Sequence, residues 1–217
     1  MIKVFGLAYY CQDYIAKSIS SIVDNVDEQI ELIVVENKSP HSKIIRESLK
    51  QFNRCGFISK AYCMMGNSRG NCLIDIARSE LDGYNEDFFI ITDLDILVPK
   101  CNLISKTREA ISQGYNVTGL SLSTINYTPP NSGFVDGPGF GWWMMGIKTS
   151  EFLKIPEGVA CTDSFILNYL KSFKKFPDKC YHYGWDIWKD YPEYWTDKAR
   201  GIDWNTYTDN TIEEIIS

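Results

Sequence analysis

The sequence predicts an α/β fold: a single domain, residues 1–217, with a central mixed, mostly parallel sheet flanked by helices. Two observations predict it. Short apolar runs such as Ile30-Glu31-Leu32-Ile33-Val34-Val35 have the length and β-branched content of buried strands. Segments with apolar residues three and four apart separate them, and such alternation builds βαβ units with helices on both faces of a sheet. No internal repeat or low-complexity linker divides the chain.

Taken in order, Ile2 to Ala8 is the first strand, followed by the loop Tyr9-Tyr10-Cys11-Gln12-Asp13. From Tyr14 to Val26, the residues Ile15, Ile19, Ile22, Val23 and Val26 recur at helical spacing. Ile30 to Val35 is the second strand, stopped by the turn-rich Glu36-Asn37-Lys38-Ser39-Pro40. A helix from Lys43 to Phe52 and a short strand within Gly56 to Cys63 follow. Asn67-Ser68-Arg69-Gly70-Asn71 reads as a loop entering a helix with Leu73, Ile74, Ala77 and Leu81 on one face. Phe88 to Asp95 is a strand, and a helix near Leu103 to Gln113 leads to another at Val117 to Leu122. A long loop through Pro129 and Pro130 ends at Gly137-Pro138-Gly139-Phe140-Gly141, ahead of a strand over Trp142 to Ile147. Asp163 to Phe173 is the last clear helix, and the tail from Asp186 lacks periodicity.

Composition narrows the class. A hydrophobic fraction of 44% with 23% charged residues is that of a globular chain. The net charge of −6 argues against nucleic acid as a partner, since phosphate backbones are met by basic patches. No apolar stretch approaches the ~20 residues needed to span a bilayer, and the N-terminus lacks the pattern of a signal peptide. Seven scattered cysteines without a C-x-x-C form neither a disulfide framework nor a zinc site, so a reducing, cytoplasmic location is expected. A P-loop, a G-x-G-x-x-G turn after the first strand and a G-x-S-x-G elbow are all missing, which disfavours P-loop NTPases, Rossmann dehydrogenases and simple α/β-hydrolases.

The segment Phe88-Phe89-Ile90-Ile91-Thr92-Asp93-Leu94-Asp95 carries the clearest chemistry. It reads as a buried strand that presents two carboxylates at its carboxyl end, where open α/β sheets bind ligands. Hard oxygen ligands placed there suit Mg²⁺ or Mn²⁺ carrying a diphosphate. The plain alternative is a loop with two solvated aspartates.

With these residues in order, the chain resembles glycosyltransferases of the GT-A fold, particularly the family-2-like group, from Ile2 to about Gly184. Leu7-Ala8-Tyr9-Tyr10 is similar to the family's opening, whose loop holds the donor nucleobase. Val34-Val35-Glu36-Asn37-Lys38-Ser39 resembles the V-V-D-N-x-S stretch, with Glu36 at the usual Asp position. Asn67 to Asn71, running on to Ala77, resembles the stretch that meets the nucleoside, and Asp93-Leu94-Asp95 matches the D-x-D. Thr162-Asp163 resembles the late E-D whose Asp is the base of inverting members, although Thr stands where Glu is usual. His182 falls where many members place a C-terminal metal-binding His. In compactness and composition the chain is also similar to glycosyltransferase modules of large DNA viruses that infect algae.

The resemblance implies a Mn²⁺- or Mg²⁺-dependent transferase taking a sugar from a UDP-sugar to a hydroxyl of a glycan or glycoprotein, as in protein glycosylation. Metal ligands would be Asp95, Asp93 and His182, and donor contacts Leu7, Ala8, Tyr9, Glu36, Asn37, Arg69, Asn71, Arg78, Asp93 and Leu94. Asp163 is the candidate base and Asp136 a candidate for a sugar hydroxyl or, in a retaining enzyme, the face under the anomeric carbon. Each has a plainer reading. His182 suits a histidine packed between Tyr181 and Tyr183, Asp163 a helix N-cap, and Arg69 and Arg78 solvated helix charges. Tyr9 or Tyr10 could stack on a base or cover the core edge, Asn37 and Glu36 could simply form the turn, and Trp143 could offer a sugar-binding face or a buried one. The rival functions are a sugar-phosphate nucleotidyltransferase, which lacks its Gly-rich basic loop here, and a non-catalytic nucleotide- or carbohydrate-binding module.

Overall fold

A computed structural model describes residues 1–64, 71–122, 143–157, 163–183, 187, 190–191 and 212–215. Nine strands and six helices are seen among them. The chain runs β1 (Ile2–Ala8), α1 (Ile15–Asn25), β2 (Ile30–Glu36), α2 (Ser42–Arg54), β3 (Lys60–Met64), α3 (Asn71–Glu80) and β4 (Phe88–Asp93). It continues through β5 (Ile96–Leu97), α4 (Leu103–Ser112), β6 (Val117–Leu122), β7 (Met145–Lys148), α5 (Thr149–Phe152), α6 (Asp163–Leu170), β8 (Phe173–His182) and β9 (Ile212–Glu214).

The strands form one mixed sheet in the order β5-β8-β6-β7-β4-β1-β2-β3-β9. The middle is parallel: β1 pairs with β2 and β4, and β2 with β3. Strand β7 runs antiparallel between β4 and β6, and β9 closes the β3 edge antiparallel. This is the predicted α/β domain with a mixed, mostly parallel sheet.

Apolar residues on both faces of the parallel strands explain why those runs are continuous rather than alternating. Val4, Leu32, Val34, Phe88 and Ile90 face a core with Ile15, Ile19, Ile22, Ile45, Leu49, Leu103 and Ala110 from α1, α2 and α4. Phe5, Ile33, Val35, Phe89 and Ile91 face the second core, against Leu73, Ile74 and Ala77 of α3, Phe152 of α5 and Ile166 of α6. Strands buried on both faces leave their carboxyl ends as the open edge, so the loops after β1, β2 and β4 collect there.

Several boundaries differ from the sequence reading, two of them at a residue with positive φ. The helix from Asp163 stops at Leu170 rather than Phe173, because Lys171 takes φ 57, a left-handed conformation that ends a helix. After Lys171 and Ser172, the ten residues Phe173–His182 form β8, which the periodicity at Leu170 and Phe173 hid. Pro177 lies inside it, and the β6–β8 ladder shifts register between Gly119 and Ser121; a proline within a strand belongs at such an irregularity. Strand β7 begins at Met145, after Met144 with φ 54, whereas the expected strand already included Trp143 and Met144. Finally, β4 ends at Asp93, leaving Asp95 on the turn beyond the strand.

Candidate functional site

The turn after β4 brings the expected acidic pair together without a shared strand face. Thr92 and Leu94 fix the backbone: Thr92 Oγ1 donates to the Asp93 carbonyl at 3.0 Å and accepts the Met144 N–H at 3.3 Å. The Leu94 N–H donates to the Leu7 carbonyl at 2.9 Å, which ties the turn to the end of β1. The Leu94 side chain is fully buried against Gly6, where an added Cβ would come within 2.9 Å of Leu94 Cδ2. The side chain of Leu94, an expected donor contact, is an anchor in the core. With Leu94 pointing inward, Asp93 is half-buried at the rim and Asp95 is 7% exposed just beneath it.

His182 arrives from β8. Strand β5 pairs antiparallel with β8 in the register Ile96↔His182, so the imidazole lies beside the residue preceding Ile96. His182 Nε2 sits 3.1 Å from Asp95 Oδ2, and the Tyr183 N–H donates to the Asp95 carbonyl at 2.7 Å. Asp93, Asp95 and His182 can each turn one ligand atom so that all three lie within 4.8 Å of one another. That donor set, two carboxylate oxygens and an imidazole nitrogen, fits a divalent cation. Negative charge also marks the surroundings. Burial, with the Asp95 charge adding to it, pushes the Cys11 thiol well up, and burial chiefly does the same for Cys180, to about 12. Trp143, partly buried, lies with its ring centroid 5.7 Å from that of His182.

The loops after β1 and β2 form the other end of the site. Ala8 is buried in the core and its carbonyl accepts the Asn37 N–H at 2.9 Å, while Leu7 and Tyr9 are half-buried. Glu36 is fully buried and its carboxylate is engaged on both sides. Oε1 accepts from Ser42 Oγ at 2.5 Å and Oε2 from Arg46 Nε at 2.9 Å, with Arg46 also reaching the Met64 carbonyl. Three buried side-chain atoms on these loops make no hydrogen bond: Gln12 Oε1, Asn37 Oδ1 and His41 Nε2. Around them stands an aromatic group, with Tyr9 against Tyr10 at 4.8 Å, Tyr10 against His41 at 5.4 Å and His41 against Tyr191 at 4.8 Å between centroids.

Other expected residues fall elsewhere. Arg78 donates to the Ile155 carbonyl and lies 5.2 Å from the centre of the Phe152 ring, contacts that fasten α3 to α5. Asn71 and Asp163 are the first residues of α3 and α6. Arg69, Asp136, Thr162 and the Gly137–Trp142 stretch lie outside the described residues. Gln12, His41 and Tyr191 were not legible as site residues, because nothing in their local sequence marks them; only the folded loops place them together.

No family model and no curated protein matches the chain. Solved structures do. TarS residues 1–349 from S. aureus in complex with UDP-GlcNAc matches with a TM-score of 0.56 at 14% identity, over 83% of this chain and 58% of that one. The same protein in complex with UDP gives a TM-score of 0.59 at 14% identity, over 83% and 60%. The mannosyltransferase PcManGT from Pyrobaculum calidifontis, in complex with GDP-Man and Mn²⁺, gives 0.58 at 14% identity, over 83% and 56%. The fold is that of the GT-A glycosyltransferases. The chain spans less than two thirds of the length of these neighbours. Nothing in the comparisons supports the expected algal-virus origin. Among the described residues, no helix is long and apolar enough to cross a membrane.

Proposed function

We propose that the chain is a metal-dependent glycosyltransferase that moves a sugar from a nucleotide-sugar donor, a UDP-sugar, to a hydroxyl of a glycan or glycoprotein. The observation that carries this reading is the convergence of Asp93, Asp95 and His182 at the carboxyl end of the central strands, in a fold shared with structures that hold UDP-GlcNAc or GDP-Man. The imidazole favours Mn²⁺ over Mg²⁺ in such a donor set. A cation held there supplies neutralisation of the charge that develops on the leaving diphosphate.

The chain's own residues divide the remaining work. Asp95, held by the backbone of Tyr183 and by the buried Leu94 beside it, is the direct ligand. Asp93 at the rim meets ribose hydroxyls or reaches the cation through water. On the base side, Leu7, Ala8 and Tyr9 line the end of β1, and Asn37 and Glu36 the end of β2. An unpaired buried polar atom costs about 1–3 kcal/mol. The single N–H of a uracil would relieve that cost at one of the two amide oxygens, Gln12 Oε1 or Asn37 Oδ1. The resemblance assigns the stretch with Arg69 and Asn71 to the nucleoside and Asp163 to the acceptor proton. Asp136, just before the 137–143 stretch in sequence, is the candidate for a sugar hydroxyl by its chemistry.

Calorimetric titration of UDP and of GDP, with and without Mn²⁺, tests the reading on this protein and on Asp95→Ala. Binding of UDP that requires both Mn²⁺ and Asp95 is the expected result, followed by Mn²⁺-dependent hydrolysis of a UDP-sugar. Metal-independent binding without turnover across donors would favour a binding module, and no binding of either nucleotide would overturn the donor site.

A further inference from the structure

We propose that Tyr191 is a latch coupling the two ends of this site: it fastens the segment that carries His182 to the loops on the base side. The inference rests on the donor-site reading and adds to it the means by which metal and nucleotide affinities become linked.

The contacts form a continuous path. His182 ends β8 beside Asp95. Its neighbour Tyr183 holds the Asp95 carbonyl and stacks on Tyr14 of the loop before α1, with centroids 4.2 Å apart. The Ile187 N–H donates to the Tyr183 carbonyl at 2.9 Å, and the Tyr191 N–H donates to the Ile187 carbonyl at 2.7 Å. The two bonds link Tyr183, Ile187 and Tyr191 in sequence. Ile187 is fully buried, packed with Tyr10 and Tyr183.

At the far end the phenol bridges two loops at once. Tyr191 Oη donates to Asp13 Oδ2 at 2.6 Å, in the loop after β1. Its ring packs against His41, the residue that begins α2 after the β2 loop. Tyr14 Oη adds a 3.4 Å hydrogen bond to Asp190. The bond to Asp13 is also felt as a raised pKa at Tyr191.

Two further observations tie this contact to a ligand and not to packing alone. Tyr10 is fully buried yet has φ 52, a conformation that a non-glycine residue keeps only when its surroundings over-determine it. Tyr9, His41 and Tyr191 are the rings that hold it. His41 Nε2 and Gln12 Oε1, both buried without a hydrogen bond, belong to the same loops that Tyr191 joins. With the latch shut, the groups that would meet a base and the imidazole that would meet the cation are parts of one braced unit.

Coupling between two ligands is reciprocal, so Mn²⁺ and UDP must raise each other's affinity by the same factor. Titration calorimetry of UDP at a series of Mn²⁺ concentrations from limiting to saturating reads that factor in the wild type, Tyr191→Phe, Asp13→Ala and Asp13→Asn. Tyr191→Phe keeps the ring and loses the hydroxyl; the coupling factor should fall about fivefold, the measure of one lost hydrogen bond to a charged group at a partly exposed position. Asp13→Ala should reproduce the fall, Asp13→Asn should keep most of the coupling, and the Tyr191→Phe/Asp13→Ala double variant should fall no further than either. A side chain with a merely structural role would lower the melting temperature and leave the factor unchanged. Wild-type coupling in folded Tyr191→Phe and Asp13→Ala would overturn the latch alone. Absence of UDP and GDP binding in the wild type would overturn the donor site, and the latch with it.

Discussion

His182 Nε2 lies 3.1 Å from Asp95 Oδ2, joining the last residue of β8 to the turn after β4. The two-residue strand β5 makes this meeting possible, because its pairing places His182 opposite Ile96, the residue after Asp95. A histidine distant in sequence and an aspartate next to the central strand thereby become parts of one site.

Removing the imidazole while keeping both carboxylates should change metal preference more than it changes the fold. His182→Ala is expected to lower Mn²⁺ affinity about tenfold and Mg²⁺ affinity less, because imidazole suits the softer ion. Electron paramagnetic resonance of free Mn²⁺, with Mg²⁺ competition, measures both. An unaltered Mn²⁺/Mg²⁺ ratio would show that His182 packs beside the site without serving it.

Gly6 sets the height of the Asp93–Asp95 turn. A Cβ there would lie 2.9 Å from Leu94 Cδ2 and 3.0 Å from its Cγ, so the leucine must move. Gly6→Ala should cost about 1–3 kcal/mol of stability, as overpacking does, and should weaken Mn²⁺-dependent nucleotide binding at temperatures where the protein remains folded. Gly146→Ala supplies the contrast: its Cβ would meet Thr107 Cγ2 and Thr118 Oγ1 at 2.5 Å, in a different part of the sheet. It should destabilise the protein without touching metal dependence. Equal loss of binding in both variants would argue against a specific role for Gly6.

Glu36 and Arg46 make an asymmetric pair. The carboxylate is fully buried whereas the guanidinium side chain is 28% exposed, so the two truncations are not equivalent. Arg46→Met strands a buried charge and should cost about 3 kcal/mol or more. Glu36→Gln leaves a neutral group that Ser42 can still meet, and about 1 kcal/mol is expected. Urea unfolding of both variants gives the order; the reverse order would mean that Glu36 is not the strained partner.

Asp27 predicts a pH dependence remote from the site. Its carboxylate accepts the Ile104 N–H at 2.7 Å and the Ser105 N–H at 3.0 Å, capping α4. Partial burial works against the charged form, but the hydrogen bonds from Ser105 and Ile104 outweigh it and hold the carboxyl below its ordinary value. A depressed native value means that the stabilisation is fully present above the unfolded aspartate value, about 3.9. It is lost as the pH falls through the lower native value. Asp27→Ala should therefore be about 1 kcal/mol less stable than the wild type at neutral pH, with the gap closing in acid. A gap that persists in strong acid would assign the effect to packing.

Much of the fold was readable because its central strands bury both faces. Ile2–Ala8 and Ile30–Glu36 announce themselves as mostly apolar runs, interrupted only by Lys3 and Glu31 before the closing Glu36, and α1 shows its buried face at Ile15, Ile19 and Ile22. Strand β8 was not readable: its burial is weak and irregular, it contains Pro177, and the preceding helix continued its spacing through Phe173. Local pattern reports what a segment buries, and an irregular strand paired by its backbone buries little that is periodic.

The sequence by itself determined the alternation of strand and helix, the acidic pair at the end of a buried strand, and the candidacy of His182. The first two follow from side-chain chemistry and short-range spacing, which need no partner to be seen, whereas His182 was a candidate through the family resemblance. Tertiary structure alone decided that Asp95 leaves the strand and sinks beneath Asp93, that Arg78 turns to the Ile155 carbonyl, and that Glu36 is clasped by Ser42 and Arg46. It also decided that Tyr191 reaches Asp13. The physical reason is common to all four. Where a polar side chain points is settled by which donors and acceptors the packed sheet brings within about 3 Å, and those partners come from elements whose meeting depends on the register of the whole sheet.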